Sequence, residues 1–190
     1  MTDLRYMIAV LAALSGFSGA AKADDIAEAL QAATDAYAAG DLKGTSDQIG
    51  AASRALSLKK TDLIIALLPP APDGWTRTPS EEFVAGMAMM GGGTGTEVSY
   101  AGPDATFTIT VMADNAMISS MLGMFTSPEM MAMMGKVTKV GTIDMIDQGD
   151  GGLMGILGDR VMITASGATA EVMVPILAAT DFEALATFDK

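Results

Sequence analysis

The chain contains neither cysteine nor histidine. Without thiols there is no disulfide, no thiolate nucleophile, no lipid carried on a cysteine and no c-type haem attachment. Without imidazole it lacks the commonest metal ligand and the usual general base near neutral pH. Zinc sites assembled from Cys and His are excluded outright. Basic side chains are also scarce: 11 Lys and Arg stand against 23 Asp and Glu, a formal net charge of −12. Nucleic acid is held chiefly through Lys and Arg, so so acidic a surface argues against it as a partner. Anionic lipid headgroups are repelled in the same way.

What is present is hydrophobic. Half of the 190 residues are apolar, enough to bury a sizeable core, and the length suits one domain, with or without a helical appendage. The run Met7–Phe17 has the length of a signal-peptide core and is too short to span a bilayer. It is followed by Ala21-Lys22-Ala23, an A-x-A cleavage site, so residues 1–23 are expected to be a cleavable signal peptide and Asp24 the first mature residue. With no twin arginine and no lipobox cysteine, the expected destination is the Gram-negative periplasm. Cleavage removes Asp3, Arg5 and Lys22, which leaves 9 basic and 22 acidic side chains, a net charge of −13. No later run approaches spanning length without a Gly or Pro break, so no transmembrane segment is expected after cleavage.

The mature chain reads as an N-terminal αα-hairpin (24–68) followed by an α+β domain (69–190). Ile26, Leu30, Ala33 and Tyr37 share one face of a first helix. Gly40 and Asp41 are a natural C-cap and N-cap. Leu42, Ile49, Ala52, Leu56, Leu63 and Leu67 form the apolar stripe of a second helix, which Pro69-Pro70 ends. After a stiff connector at 69–75 and a short helix over 81–90, the glycine run 91–95 reads as a loop. The expected strands are 97–100, 106–112, 137–140, 143–147, 153–157 and 161–165, with a two-residue hairpin turn at Gly158-Asp159. Helical residues 170–188 close the chain, bent at Pro175 and near Thr180-Asp181. The expected fold is therefore α+β: a helical hairpin, then an antiparallel sheet of about five to six strands with helices on one face.

Three resemblances can be stated. Leu67-Leu68-Pro69-x-x-Pro72-x-Gly74-Trp75, the Met-dense helix after the Thr-rich strand and the Gly158-Asp159-Arg160 turn are similar to a group of uncharacterised proteobacterial periplasmic proteins, a likeness that implies no activity. Pro72-x-Gly74-Trp75 opening onto an antiparallel sheet resembles the PsbP-like domains at the level of fold. Ala33-x3-Tyr37-x2-Gly40-Asp41 with Ala51 and Ala52 is similar to one tetratricopeptide-type helix pair, although a single pair makes no solenoid.

Methionine is the unusual feature. Seven of the mature chain's 15 methionines lie between Met117 and Met134. Met117, Met121 and Met124 share one helical face; Ser127-Pro128-Glu129 then starts a second helix bearing Met130, Met131, Met133 and Met134. Glu129 is the only charge from Asn115 to Gly135. Three functions compete for these helices: core filler, a pliable apolar contact surface for a hydrophobic ligand or protein partner, and thioether coordination of Cu(I) by Met117, Met121 and Met124. The contact surface, built on Met117, Met121, Met124, Met130, Met133 and Met134, is the expected function, and no other cofactor is implied. Asp144, Asp147 and Asp150 flank a hairpin tip as a calcium candidate, without EF-hand spacing. The glycine run has no following Lys or helix N-terminus to hold a phosphate. Glu81, Glu82, Glu97 and Asp114 are available carboxylates, yet no pair is fixed at hydrolytic distance. A non-enzymatic binding protein is the expectation.

Overall fold

The computed structural model describes residues 24–87, 93–125, 127–149 and 151–190, with the side chains of residues 84, 85, 87, 116, 117, 124 and 128 outside that description. The expected leader, Asp150 and residues 88–92 therefore lie outside it.

The chain begins with an antiparallel helix pair, α1 (Asp25–Ala38) and α2 (Leu42–Leu67). Asp24 caps α1 by accepting from the Ile26 N–H, and Asp41 caps α2 by accepting from the Gly44 N–H; each cap satisfies a donor the helix cannot. The two helices meet through small residues, with Ala29 and Ala33 buried on α1 and Ala52 on α2. This corrects the expected stripes. Of the large side chains assigned to them, Leu30, Tyr37, Leu42, Ile49, Leu56 and Leu63 are all exposed. Alanine at the contact lets the backbones approach closely and turns the larger residues outward.

The second half of α2 buries its other side against the sheet. Ile64 and Leu68 enter the main core, and the Thr61 hydroxyl donates to the Gly95 carbonyl. The sheet has seven strands: β1 (Thr76–Pro79), β2 (Thr94–Ala101), β3 (Thr106–Ala113), β4 (Lys136–Val140), β5 (Ile143–Asp147), β6 (Gly152–Leu157) and β7 (Val161–Ser166). Their spatial order is β1-β2-β3-β7-β6-β5-β4, and every neighbouring pair is antiparallel. The strand missing from the sequence expectation is β1: four residues with no aliphatic side chain and a terminal proline, tolerated because the strand lies at an edge. The glycine loop is also shorter than expected, since Thr94, Gly95 and Thr96 belong to β2.

One sheet face carries Val98, Tyr100, Phe107, Ile109, Val111, Val161, Ile163, Leu153 and Met145. It packs under α2, α6 (Ala170–Leu177) and α7 (Phe182–Ala186) through Met173, Leu177, Phe182 and Leu185. Tyr100 stacks on Phe107 at 5.1 Å and its hydroxyl donates to the Pro69 carbonyl, while Trp75 meets the Phe107 edge at 5.8 Å. Arg77 closes this corner, donating to the Tyr100 hydroxyl and the Ile65 carbonyl.

Helices also cover part of the opposite face, which corrects the expectation of helices on one face only. α3 (Glu81–Met87) brings Phe83 against Gly95, where a Cβ would stand 2.6 Å from the Val111 carbonyl oxygen. α4 (Ala116–Phe125) and α5 (Pro128–Met134) follow β3 and lie by β4, β5 and β6. The terminal helix breaks near Thr180-Asp181 as expected, with Asp181 capping α7, whereas Pro175 sits within α6. Among the described residues no helix is long and apolar enough to cross a membrane.

Candidate contact surface

Strand alternation decides which side chains face α4 and α5. Residues 161, 163 and 165 of β7 point into the main core, so Met162 and Thr164 point the other way. Across the ladder Met162 faces Met112 on β3 and Ile156 on β6, while Thr164 faces Met154, itself opposite Ile146. This second face is thus a shorter apolar band, on which Met162 and Ile146 are buried. Among the α4 side chains that the structure describes, the fully buried one is Ile118, a β-branched residue.

The methionines divide. Met121, Met131 and Met134 are half-buried. Met130 is 46% exposed and Met133 is 87% exposed. Met117 and Met124 lie on α4, but their side chains fall outside the described ones. α5 ends at Gly135, whose absent Cβ would stand 2.3 Å from the Asp147 carbonyl oxygen, so the helix is drawn tightly onto the end of β5. That approach fixes α5 in place and leaves Met130 and Met133 outside. Val137, two residues into edge strand β4, is also exposed. It pairs with Ile146 and so belongs to this same face. Met130, Met133 and Val137 are thus three exposed apolar side chains of the α5–β4 segment.

The calcium candidates do not converge. Asp144 and Asp147 are three residues apart on β5, so they leave opposite sides of the strand. Asp144 lies 3.5 Å from Lys139, and Asp147 accepts from the Gly149 N–H at 2.9 Å, an ordinary turn bond. Asp150 is outside the described residues. Among those described, no group of three acidic side chains could hold a metal ion.

The charged cluster that sequence reasoning missed surrounds Arg160. The β6–β7 turn has Gly158 and Asp159 both at positive φ, and Leu157 pairs with Val161, so Arg160 is a third loop residue rather than part of the ladder. Its carbonyl accepts from the Asp114 N–H at 3.1 Å. Its guanidinium takes both Asp114 carboxylate oxygens, at 2.9 and 2.6 Å, and both Asp189 oxygens, at 2.6 and 3.2 Å. Lys60 adds a second cation 2.6 Å from Asp189, and Phe188 lies 5.2 Å under the guanidinium. The Arg160 hydrogen bonds, reinforced by Lys60, hold the Asp189 carboxyl well below the usual carboxylate range, against the opposing effect of burial. The same two carboxylates raise the Arg160 pKa. A cleft of about 350 Å³ beside this cluster is lined by Asp114, Asn115, Ile118, Ser119, Asp159 and Arg160. Asp114 is therefore a structural ion-pair partner, held by its cation on both oxygens; Glu81 and Glu82 open α3, and Glu97 lies on β2.

No protein family, no curated protein and no solved structure matches this chain.

Proposed function

We propose that this is an exported, non-catalytic binding protein whose α4–α5 segment offers a methionine-rich contact surface to an apolar ligand or partner segment. The observation that carries this reading is the exposure of Met133 and Met130 on a helix otherwise drawn tightly onto the sheet. A methionine serving as core filler would be turned inward; these two face solvent. Unbranched thioether side chains re-pack around different shapes at little cost, which suits an adaptable apolar surface. Asp24, the residue expected after signal cleavage, caps α1 and pairs with Lys59 at 2.7 Å, so the folded body is anchored from its first mature residue.

The test is native mass spectrometry of protein purified from its own periplasm, with binding of an apolar dye measured in parallel. Met130→Ala and Met133→Ala should weaken dye or lipid binding several-fold with the fold intact. Unchanged binding in the double variant would remove the reading. Replacement of Met117, Met121 and Met124 by Leu keeps volume and removes sulfur, so it separates apolar contact from Cu(I) coordination.

A further inference from the structure

We propose that the exposed side of the α1–α2 hairpin is a homodimer interface, pairing with a second copy of the chain as an antiparallel four-helix bundle. This surface is separate from the methionine-rich one. Leu42, Ile49, Leu56 and Leu63 recur at intervals of seven residues along α2, and all four are exposed. A seven-residue repeat drifts by only about 20° per step on a straight helix, so the four form one continuous seam. Tyr37 and Leu30 of α1 are 68% and 51% exposed. Both sit about a quarter-turn round from the buried Ala29 and Ala33, and the α2 seam sits in the same rotational sense from buried Ala52. In an antiparallel pair, equal rotational offsets fall on the same side. The Asp24–Lys59 ion pair and the turn at Gly40 set the levels: Tyr37 falls between Leu42 and Ile49, and Leu30 between Ile49 and Leu56.

Acidic residues avoid this side. Glu28, Asp35 and Asp47 project from the other side of the hairpin by the same helical geometry. The two lysines nearest the seam, Lys59 and Lys60, are already paired with Asp24 and Asp189. A protein of net charge −12 thus has one elongated surface whose nearest carboxylates, Asp24 and Asp189, are each paired with a lysine. The six large side chains present about 600 Å² of apolar area per copy, close to what each partner buries in a standard stable interface, and at the upper end of what a lone monomer exposes. The order Leu-Ile-Leu-Leu is self-complementary on reversal. With the two-fold axis between Ile49 and Leu56, Ile49 faces the other copy's Leu56 and Leu42 its Leu63, apolar on apolar in each layer. Leu30 then falls on the axis, beside its own counterpart.

Sedimentation equilibrium of the purified protein should show a dimer at micromolar concentration, and Ile49→Glu with Leu56→Glu should weaken it at least 100-fold with unchanged circular dichroism. Because the chain has no cysteine, a single introduced thiol reports the geometry. Ser53→Cys, next to the proposed axis, should give a disulfide-linked dimer on mild oxidation. Leu42→Cys places its two sulfurs about 30 Å apart along the bundle and should not. A wild-type protein that stays monomeric to hundreds of micromolar, a dimer that survives the double glutamate variant, or Leu42→Cys cross-linking as readily as Ser53→Cys would each overturn the proposal. So would a monomer that captures an added amphipathic helix on this side.

Discussion

Asp189→Asn removes the acid that ties the C-terminus to both α2 and the β6–β7 turn. Asp189 is bound by Arg160 and Lys60 at 2.6 Å each, and the three side chains are only 14%, 17% and 25% exposed, respectively. Charge-assisted hydrogen bonds of this kind contribute about 1.5–3 kcal/mol, and breaking a fully buried ion pair costs about 3–5 kcal/mol. Residual solvent access, and Asp114 remaining on Arg160, place the expected cost near the low end, at about 2 kcal/mol at pH 7. For a chain of this length that is a drop in Tm of about 4–8 °C. The pH dependence gives the sharper test. The folded-state pKa of Asp189 is depressed, so its contribution is complete above the unfolded value of about 4 and is lost as pH falls toward the folded one. The gap between wild type and Asp189→Asn should therefore narrow by about 1.4 kcal/mol per pH unit below pH 4. Urea titrations of both proteins at pH 7, 4 and 3 measure it. A gap below about 0.5 kcal/mol at pH 7, or one that is the same at pH 7 and pH 3, would refute the assignment of Asp189 as a buried double acceptor.

Met130→Ala and Met133→Ala should each cost less than about 0.5 kcal/mol, whereas Met145→Ala and Met173→Ala, both fully buried, should cost about 2–5 kcal/mol in urea unfolding. Gly102→Ala puts a Cβ 2.3 Å from the Trp75 ring, so it should destabilise by about 1–3 kcal/mol and shift the fluorescence of the chain's one Trp. Thr96 is fully buried and its hydroxyl has no hydrogen-bond partner among the described residues; Thr96→Val should therefore leave stability unchanged or raise it by about 1 kcal/mol. Intact-mass analysis of a periplasmic extract should find a chain beginning at Asp24, and a dominant full-length cytosolic species would contradict export.

Period-two alternation proved the most legible signal. Phe107, Ile109 and Val111 announced β3 and its buried face, and β5 runs over the expected residues 143–147. The other strands run one residue past the expected edge at Ala101, Ala113, Lys136, Gly152 and Ser166, and three at Thr94. β1 was illegible for a physical reason: an edge strand needs only backbone partners on one side, and Thr-Arg-Thr-Pro carries no apolar pattern. Arg160 was equally hidden, because its partners Asp114 and Asp189 lie 46 and 29 residues away. The turn at Gly158-Asp159 could be read locally, but only the extra loop residue turns the guanidinium toward them.

The misread stripes of α1 and α2 say more than the correct strands. Helical periodicity reports that one side of a helix is apolar; it does not say what covers that side. The expected stripe on α2 joined its leucines with Ala52, yet the residues buried between the two helices are Ala29, Ala33 and Ala52. A helix that needed only this chain could satisfy its packing with those alanines and carry polar residues at 42, 49, 56 and 63. Instead, four heptad positions bear Leu or Ile and remain in solvent. Leaving each exposed forgoes roughly 1 kcal/mol or more of burial, an arrangement that becomes favourable once a second copy covers the seam. On the dimer proposed above, the sequence pattern described an apolar interface whose far side belongs to another molecule.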